Sequence, residues 1–396
     1  MKRRALLFVA VLLGSLATVP LYNFSLWIRP QLVPQEAEVK PPKMEVAALF
    51  NFDFMLDWVN KSLYNFGISI DPASAIIGYD DWLFLGDKYS SIRTLARCGL
   101  TSKQIEIGLN ISNAAVAWER YLNSKGVKLY RVMVAPDKGT IYSEFLPDWA
   151  KPATPSPTDA LINSISDTIY IDLRAQLLEA KKAHDVELYF RTDTHWNSLG
   201  AMEGFRYFSE QIRRSDSSLR WPSNEDLRLI RKDTLRGGDL ARFLRLQNEL
   251  SSVAPMVAIN FGNRLIKHRY DFQTKDFVKL EENSRVDIVQ APIRVFSVDA
   301  LNKKKVLWLC DSFGNAFLPF MSATFTEIVQ IYWLNAFKDE GRQLIELTDS
   351  WKPDYVFVEV VERDALSGLF ATTPPEVVGA KRGSLTRVCA FWKEDD

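Results

Sequence analysis

The chain has 396 residues, with 49 basic residues (Lys and Arg) and 49 acidic residues (Asp and Glu). Hydrophobic residues make up 47% and charged residues 25%, which predicts a globular protein with a sizeable core and excludes a globally disordered chain. Because the net charge is zero, no overall field attracts nucleic acid or another strongly charged surface, and no nucleic-acid partner is expected.

The N-terminus has the pattern of a membrane anchor. Met1 to Arg4 is positively charged, and the uncharged run at 5–28 spans roughly 36 Å as a helix, enough to cross a bilayer. Basic residues before such a run favour placing the remaining chain outside the cytoplasm. We therefore predict a single-pass anchor in the inner membrane at 1–28, with the rest in the periplasm. A cleaved signal peptide and a buried core helix are the alternatives.

A linker is predicted between this anchor and the globular part. Residues 29–75 contain prolines at positions 30, 34, 41 and 42, followed by a short amphipathic segment that we expect to dock on the domain. The domain is predicted to cover 76–396. Within it, residues 214–300 are less regular and richer in charge, and we interpret them as an insertion.

Strands and helices alternate along the predicted domain. Strand patterns occur at 76–85 (two short strands around a Gly/Asp turn), 127–135, 168–172, 186–190, 306–309, 328–334 and 354–361. Helix patterns occur at 101–123, 173–184, from 198 onward, 316–321 and 342–351. This alternation predicts an α/β fold with a mostly parallel sheet.

Asp193 and His195 lie two residues apart in an extended turn after the strand predicted at 186–190. Side chains at that spacing can point to the same side. The carboxylate can then accept the imidazole Nδ1–H and leave Nε2 free as a base. The alternative is that Asp193 caps the next helix and His195 is an ordinary polar residue. The chain has only three histidines, and the other two have no distinctive setting.

A hydroxyl that this pair could activate belongs to Ser312, between an apolar strand and the predicted start of a helix. That position exposes the side chain and can offer its own backbone N–H to a developing oxyanion. The alternative is that Ser312 or Asp311 is a helix N-cap. Since such relays are recognised by geometry rather than chain order, we predict Ser312, His195 and Asp193 as the catalytic residues. Neither a cofactor nor a metal is expected, and the three cysteines show no metal-ligand spacing.

Six stretches carry a family resemblance, in order along the chain: Gly78-Tyr-Asp-Asp-Trp-Leu-Phe-Leu85, Val134-Ala-Pro-Asp-Lys138, Tyr189-Phe-Arg-Thr-Asp-Thr-His-Trp-Asn197, Gly238-Asp-Leu-Ala241, Asp311-Ser-Phe313 and Val360-Val-Glu-Arg363. Together they resemble the SGNH-hydrolase-like domain of the alginate O-acetyltransferases of the AlgJ/AlgX type. The resemblance covers residues 76–364 and the anchor. Two departures are Cys310, where a glycine is usual, and the absence of an arginine-bearing pattern after Ile331.

The resemblance implies a three-layer SGNH-like fold that is circularly permuted, because the serine follows the Asp-x-His pair. It implies Ser312 as nucleophile, His195 as base and Asp193 as orienting carboxylate. It further implies an O-acetyltransferase that modifies hydroxyls of an exported or envelope polysaccharide through a Ser acetyl-enzyme. A membrane-bound O-acyltransferase is expected to supply the acetyl group. Two alternatives stay open: a carbohydrate or acyl esterase with the same residues, and a non-catalytic glycan-binding assembly subunit.

Overall fold

A computed structural model of the chain describes residues 14, 17–25, 27–28, 46–51, 53–164, 169–260, 265–271, 273–280 and 288–375. Much of the predicted anchor and of the predicted linker before residue 46 lies outside those ranges, as does the C-terminal segment 376–396. Among the residues that are described, no helix is both long and apolar enough to cross a membrane.

Helices and strands alternate through the described residues. The strands β1 to β12 span, in order, Ala75–Ile77, Leu83–Leu85, Leu129–Ala135, Tyr170–Asp172, Leu227–Arg236, Ser251–Ile259, Leu265–Asp271, Asp276–Lys279, Ile293–Ser297, Asn302–Cys310, Phe325–Tyr332 and Tyr355–Val361. The helices α1 to α11 span Val46–Leu49, Asp53–Asn65, Ile92–Cys98, Ser102–Ser124, Lys138–Ile141, Asp159–Ile162, Arg174–Ala183, Ser198–Ser215, Asp239–Phe243, Leu318–Thr324 and Trp333–Trp351. A 3₁₀ turn at Phe313–Ala316 leads from β10 toward α10.

The central sheet has the strand order β4-β3-β12-β10-β11-β9-β7-β8. Neighbours from β4 to β11 pair in parallel, whereas β9, β7 and β8 extend the sheet by antiparallel pairing. The predicted α/β class is confirmed, but the sheet is mixed rather than mostly parallel. The antiparallel strands lie at 265–297 and are partly exposed, so they lack the continuous apolar runs that mark buried parallel strands.

Helices cover both faces of the parallel part. Strands β3 and β12 are buried at every residue. In β10, Trp308 faces the aromatic cluster of α8 and α10, while Leu307 and Leu309 face α4 and α11 on the other side. This alternation is the two-residue period of a strand, and it leaves no solvated face. The C-terminal ends of these strands are therefore held by packing on both sides.

Capping residues account for the starts of the two longest uninterrupted helices. Thr101 forms a capping box with Gln104 before α4. Asn197 accepts the backbone N–H groups of Leu199 and Gly200 before α8. Because Asn197 has this role, Asp193 is not the cap of that helix.

The prediction of a strand at 186–190 is wrong. Only Tyr189 pairs there, in an isolated bridge with Trp196. The chain folds back on itself at this point: the Phe190 amide donates to the His195 carbonyl at 3.2 Å, and the Asn197 amide donates to the Leu188 carbonyl at 2.9 Å. The pairing ends there because Asn197 caps α8. The apolar residues that suggested a strand, Val186 and Leu188, are buried in the core from this irregular segment.

Candidate active site

The three predicted side chains lie together beyond the C-terminal ends of the parallel strands. His195 Nδ1 lies 2.6 Å from Asp193 Oδ1, and His195 Nε2 lies 2.8 Å from Ser312 Oγ. Both are hydrogen-bond distances. With Nδ1–H donating to the carboxylate, Nε2 carries the lone pair that can take the hydroxyl proton.

Asp193 is held by several donors besides the imidazole. Its Oδ1 also accepts the His195 amide at 3.1 Å, and its Oδ2 accepts the Asp239 amide at 2.9 Å. Burial raises the pKa of Asp193, but its contacts with His195 and with these two amides outweigh burial and bring the pKa below its ordinary range. The carboxylate is therefore ionised at neutral pH and suited to orient the imidazole.

Ser312 sits on a turn that is tied to the neighbouring strand. Asp311 Oδ1 accepts the Phe313 amide at 2.8 Å, and its Oδ2 accepts the Val361 amide at the end of β12 at 2.9 Å. The Ser312 hydroxyl makes no capping hydrogen bond to the turn that follows. The cap alternative therefore does not describe Ser312, whose hydroxyl contacts His195 instead.

Cys310 packs beneath this turn rather than facing the cleft. It is fully buried, and Gln330 Nε2 lies 3.2 Å from its Sγ. A side chain at Gly314 would collide with Cys310, so the turn rests directly on the end of β10. Burial raises the pKa of the Cys310 thiol well above its ordinary value, which keeps it an unreactive packing group.

Glu359 is a second buried group under the turn. It belongs to β12, is fully enclosed, and its Oε2 accepts the Asp311 amide at 3.2 Å. Burial, followed by the charge of the nearby Asp311, raises the pKa of Glu359 well above its ordinary value. We therefore expect this carboxyl group to stay protonated in the folded protein at neutral pH.

The Glu359→Gln variant is expected to gain stability over the wild type as the pH rises. In the unfolded chain Glu359 loses its proton near its ordinary pKa, whereas the folded chain keeps it, so the folded state binds more protons. Wild-type stability then falls by about 1.4 kcal/mol per pH unit relative to the variant, which retains an acceptor for the Asp311 amide. Urea unfolding of both proteins at about pH 5 and about pH 8 measures the difference. Parallel pH dependences would contradict this assignment.

Asp239 is a site residue that the sequence did not single out on its own. It begins α9, in the loop between β5 and β6, and its Oδ1 accepts the Thr194 amide at 2.7 Å. Gly238 has a φ of 116°, and any side chain there would collide with the Thr192 carbonyl. The pair of glycines before Asp239 was the available signal, since glycine permits such close approach.

Among the described residues, one group near the site has the spacing of metal ligands: Asp193, His195 and Asp239. Each offers one ligand atom, and these atoms lie within 4.8 Å of one another. Asp193 and His195 already hydrogen-bond to each other, and Asp239 Oδ1 accepts two amides. An ion at this position would therefore compete with the contact that orients the imidazole.

A cleft of about 350 Å³ is lined by Ser312 and His195. Its size suits a small ligand. The lining includes charges of both signs and two stacked aromatic rings, contributed by Lys88, Arg363, Asp239, Asp364, Tyr89 and Phe243. Arg363 is neutralised by Asp137, whose Oδ2 accepts its amide at 2.9 Å and whose Oδ1 accepts its guanidinium. The cleft therefore offers hydrogen-bonding groups without a concentrated charge of one sign.

An α/β sheet with a carboxylate, an imidazole and a hydroxyl hydrogen-bonded in line at its strand ends is the arrangement of serine hydrolases and related acyltransferases. Residues 75–268 match the family described as "SGNH hydrolase-like domain, acetyltransferase AlgX". The resemblance predicted from the sequence motifs is confirmed: residues 75–268 are similar to the SGNH-hydrolase-like acetyltransferase domain of the AlgJ/AlgX-type family.

One curated relative and one solved structure are similar to this chain. Over 192 residues the chain is 26% identical to the probable alginate O-acetylase AlgJ of Pseudomonas aeruginosa. The aligned region covers 46% of this chain and 43% of that protein. The chain thus matches less than half the length of this curated relative. The structure of Bacillus cereus PatB1 with a sulfonyl adduct superposes with a TM-score of 0.53 at 16% identity, covering 75% of this chain and 99% of that chain. At that identity the similarity shows the fold alone.

Proposed function

We propose that this protein is an O-acetyltransferase that forms an acetyl-enzyme at Ser312 and passes the acetyl group to a hydroxyl of an exported or envelope polysaccharide. The observation that carries the proposal is the continuous hydrogen-bonded chain from Asp193 through His195 to Ser312 at the edge of a cleft. The match of residues 75–268 to an acetyltransferase family supports acetyl as the transferred group, and the name of the P. aeruginosa relative supports a glycan acceptor.

The proposed reaction has two half-reactions. In the first, His195 Nε2 takes the Ser312 proton while Oγ attacks the carbonyl carbon of an acetyl ester, and the imidazolium then protonates the leaving group. In the second, His195 deprotonates a sugar hydroxyl, whose oxygen attacks the acetyl-enzyme. The ester bond to Ser312 Oγ breaks, and the imidazolium returns its proton to that oxygen. Asp193 stabilises the imidazolium in both, and the backbone N–H of Ser312 is the proposed donor to the oxyanion.

The cellular arrangement that we propose follows from the chain order and the N-terminal pattern. The serine follows the Asp-x-His pair, which supports a circularly permuted version of the SGNH fold. Residues 1–28 would anchor the chain in the inner membrane, with 29–75 as linker and docking segment. Residues 76–396 would form the periplasmic catalytic domain, with 214–300 as an insertion. A membrane-bound O-acyltransferase partner would deliver the acetyl group.

An acetyl-transfer assay tests the proposal against its alternatives. The full chain, purified in detergent, is incubated with p-nitrophenyl acetate with and without oligosaccharides, and the products are analysed by mass spectrometry. Acetylated oligosaccharide is the expected result. Release of acetate alone, at a rate that oligosaccharides do not change, would indicate an esterase. A folded protein that does neither and still binds the oligosaccharide would indicate the assembly subunit.

The acceptor preference can be predicted from the charges in the cleft. A polyuronate binds best where positive charge is concentrated, but here Lys88 is accompanied by Asp364 and Asp239. We therefore expect neutral oligosaccharides to be acetylated faster than uronic-acid oligosaccharides of the same length. Initial rates with matched chain lengths at low and high salt measure this. A higher rate with the uronic acids, lost at high salt, would contradict it.

A further inference from the structure

We infer that Lys138 is a positioning residue, whose buried ammonium group fixes the loop that carries Asp193 and His195. The kinetic part of this inference rests on the proposed function. The structural part concerns the loop itself and can be tested without any activity.

The Lys138 ammonium group bonds to three backbone carbonyls of one loop. Its Nζ lies 3.0 Å from the Phe190 oxygen, 3.1 Å from the Arg191 oxygen and 2.7 Å from the Asp193 oxygen. An ammonium group has three N–H donors and no acceptor, so these carbonyls use its whole capacity. Besides the isolated Tyr189–Trp196 bridge at its base, the loop accepts the Leu83 amide at the Arg191 oxygen. Lys138 adds the hydrogen bonds to the Phe190 and Asp193 oxygens, on either side of that contact.

The surroundings of Lys138 exclude water from these contacts. The residue is 4% exposed, and Trp82 and Phe84 beside it are buried. The ring centroids of Trp82 and Phe84 lie 5.7 Å and 5.4 Å from Nζ, within the range of favourable cation–π contact. Burying an ammonium group costs several kcal/mol unless partners compensate it. The three carbonyls and two rings are those partners. Removing the ammonium takes this donor from the Phe190 and Asp193 oxygens, while the Arg191 oxygen keeps the Leu83 amide at 2.9 Å.

Lys138 is itself fixed to the strand end that holds the Ser312 turn. It follows Asp137, which accepts the amide of Arg363 just after β12. Asp311, next to Ser312, accepts the Val361 amide at the end of the same strand. Lys138 and the Ser312 turn are thus both attached to the C-terminal end of β12. Through Lys138, the loop that carries His195 is held at a fixed position relative to that strand end and therefore relative to Ser312.

The charged groups that act on Lys138 are Asp193 on the loop, Asp239 at the start of α9 and Arg93 on α3. Burial lowers the pKa of Lys138 to about 7, while Asp239 and then Asp193 act to raise it. Below that pH the ammonium form, which has three N–H donors, therefore predominates.

The test compares Lys138→Met and Lys138→Gln with a matched control, Lys181→Met. Lys181 also contacts a backbone carbonyl and an aromatic ring, but outside the loop: its Nζ lies 2.7 Å from the Ile141 oxygen and 4.4 Å from the Tyr142 ring centroid. It has in addition an ion pair with Glu144 at 2.5 Å. The acylation rate of Ser312 by p-nitrophenyl acetate is measured against pH in the full chain. Hydrogen–deuterium exchange is measured in peptides covering residues 189–196.

We expect Lys138→Met to slow acylation about tenfold or more, most strongly below about pH 7 where the lysine is charged, and to speed exchange in residues 189–196. Lys138→Gln keeps two N–H donors and should recover part of the rate. Lys181→Met should match the wild type in all three measurements. Exchange that is unchanged in both Lys138 variants would overturn the inference, even if the protein proves to have no acetyltransferase activity. An equal loss in Lys181→Met would overturn it too. If Lys138→Met does not fold, Lys138→Gln decides by the same measurements. Wild-type protein that is never acylated contradicts only the proposed function.

Discussion

The Ser312→Ala variant is expected to lose covalent acylation completely and to lower the rate of acetyl transfer by about three orders of magnitude or more. A methyl group cannot form the ester bond on which both half-reactions depend. The measurement is mass spectrometry of the intact protein and its peptides after treatment with p-nitrophenyl acetate or a sulfonyl fluoride. Wild-type protein should carry the added group on the Ser312 peptide, and the variant should carry none.

A matched control exists in the same cleft. Ser90 lines it, and its hydroxyl donates to Asp364 at 2.5 Å, without contacting His195. Ser90→Ala should therefore still be acylated at Ser312. Because the one described side-chain contact of Ser312 is to His195, we expect the Ser312→Ala variant to stay folded, with stability within about 0.5 kcal/mol of the wild type. Label that persists on the variant would show that Ser312 is not the nucleophile.

Short stretches of sequence were enough to predict which candidate residues would lie together. Asp193, His195 and Ser312 follow from residue types next to apolar segments, and the structure brings these three together as predicted. The parallel strands β3, β10 and β12 were predictable for the same reason, since a strand buried on both faces is a continuous apolar run.

The supporting residues depend on contacts that no local pattern contains. Lys138 reaches a loop more than fifty positions away, and Asp239 reaches Asp193 from the far side of a hairpin. Glu359 interrupts an apolar run in β12, yet nothing in the run shows that it lies beneath the Ser312 turn. Such contacts are set by strand order and by how the chain returns, which the two-residue and 3.6-residue periods do not specify.

The error at 186–190 has the same origin. The alternation of apolar residues there is real, because Val186 and Leu188 are buried. Burial alone does not make a strand, which also needs a neighbouring strand to pair with. The segment instead turns back, and the Lys138 ammonium and the isolated bridge satisfy part of its backbone. Departures from a local pattern are expected at functional sites, and this segment carries the candidate residues Asp193 and His195.

The Asp193→Asn variant is expected to slow acylation of Ser312 by about 10³- to 10⁴-fold while the protein stays folded. The asparagine oxygen can still accept the Asp239 amide, so the loop should keep its path. Its NH₂ group, however, is a donor facing Nδ1 and favours the imidazole tautomer with the proton on Nε2. His195 then donates to Ser312 and cannot take its proton. Acylation rates from the release of p-nitrophenol, compared with the wild type, measure the effect.

Asp364→Asn is the matched control for this loss, because Asp364 lines the same cleft and contacts Ser90 rather than His195. It removes the same charge and should leave the acylation rate within about tenfold of the wild type. A similar loss in both variants would mean that cleft charge, not orientation of His195, sets the rate. If Asp193→Asn is acylated as fast as the wild type, the proposed role of Asp193 in orienting His195 is wrong. Slow acylation in Asp193→Asn, with no acylation in Ser312→Ala, would instead show two different roles: Ser312 as the nucleophile and Asp193 as the residue that orients its base. A non-catalytic glycan-binding subunit would not give this difference between the two variants.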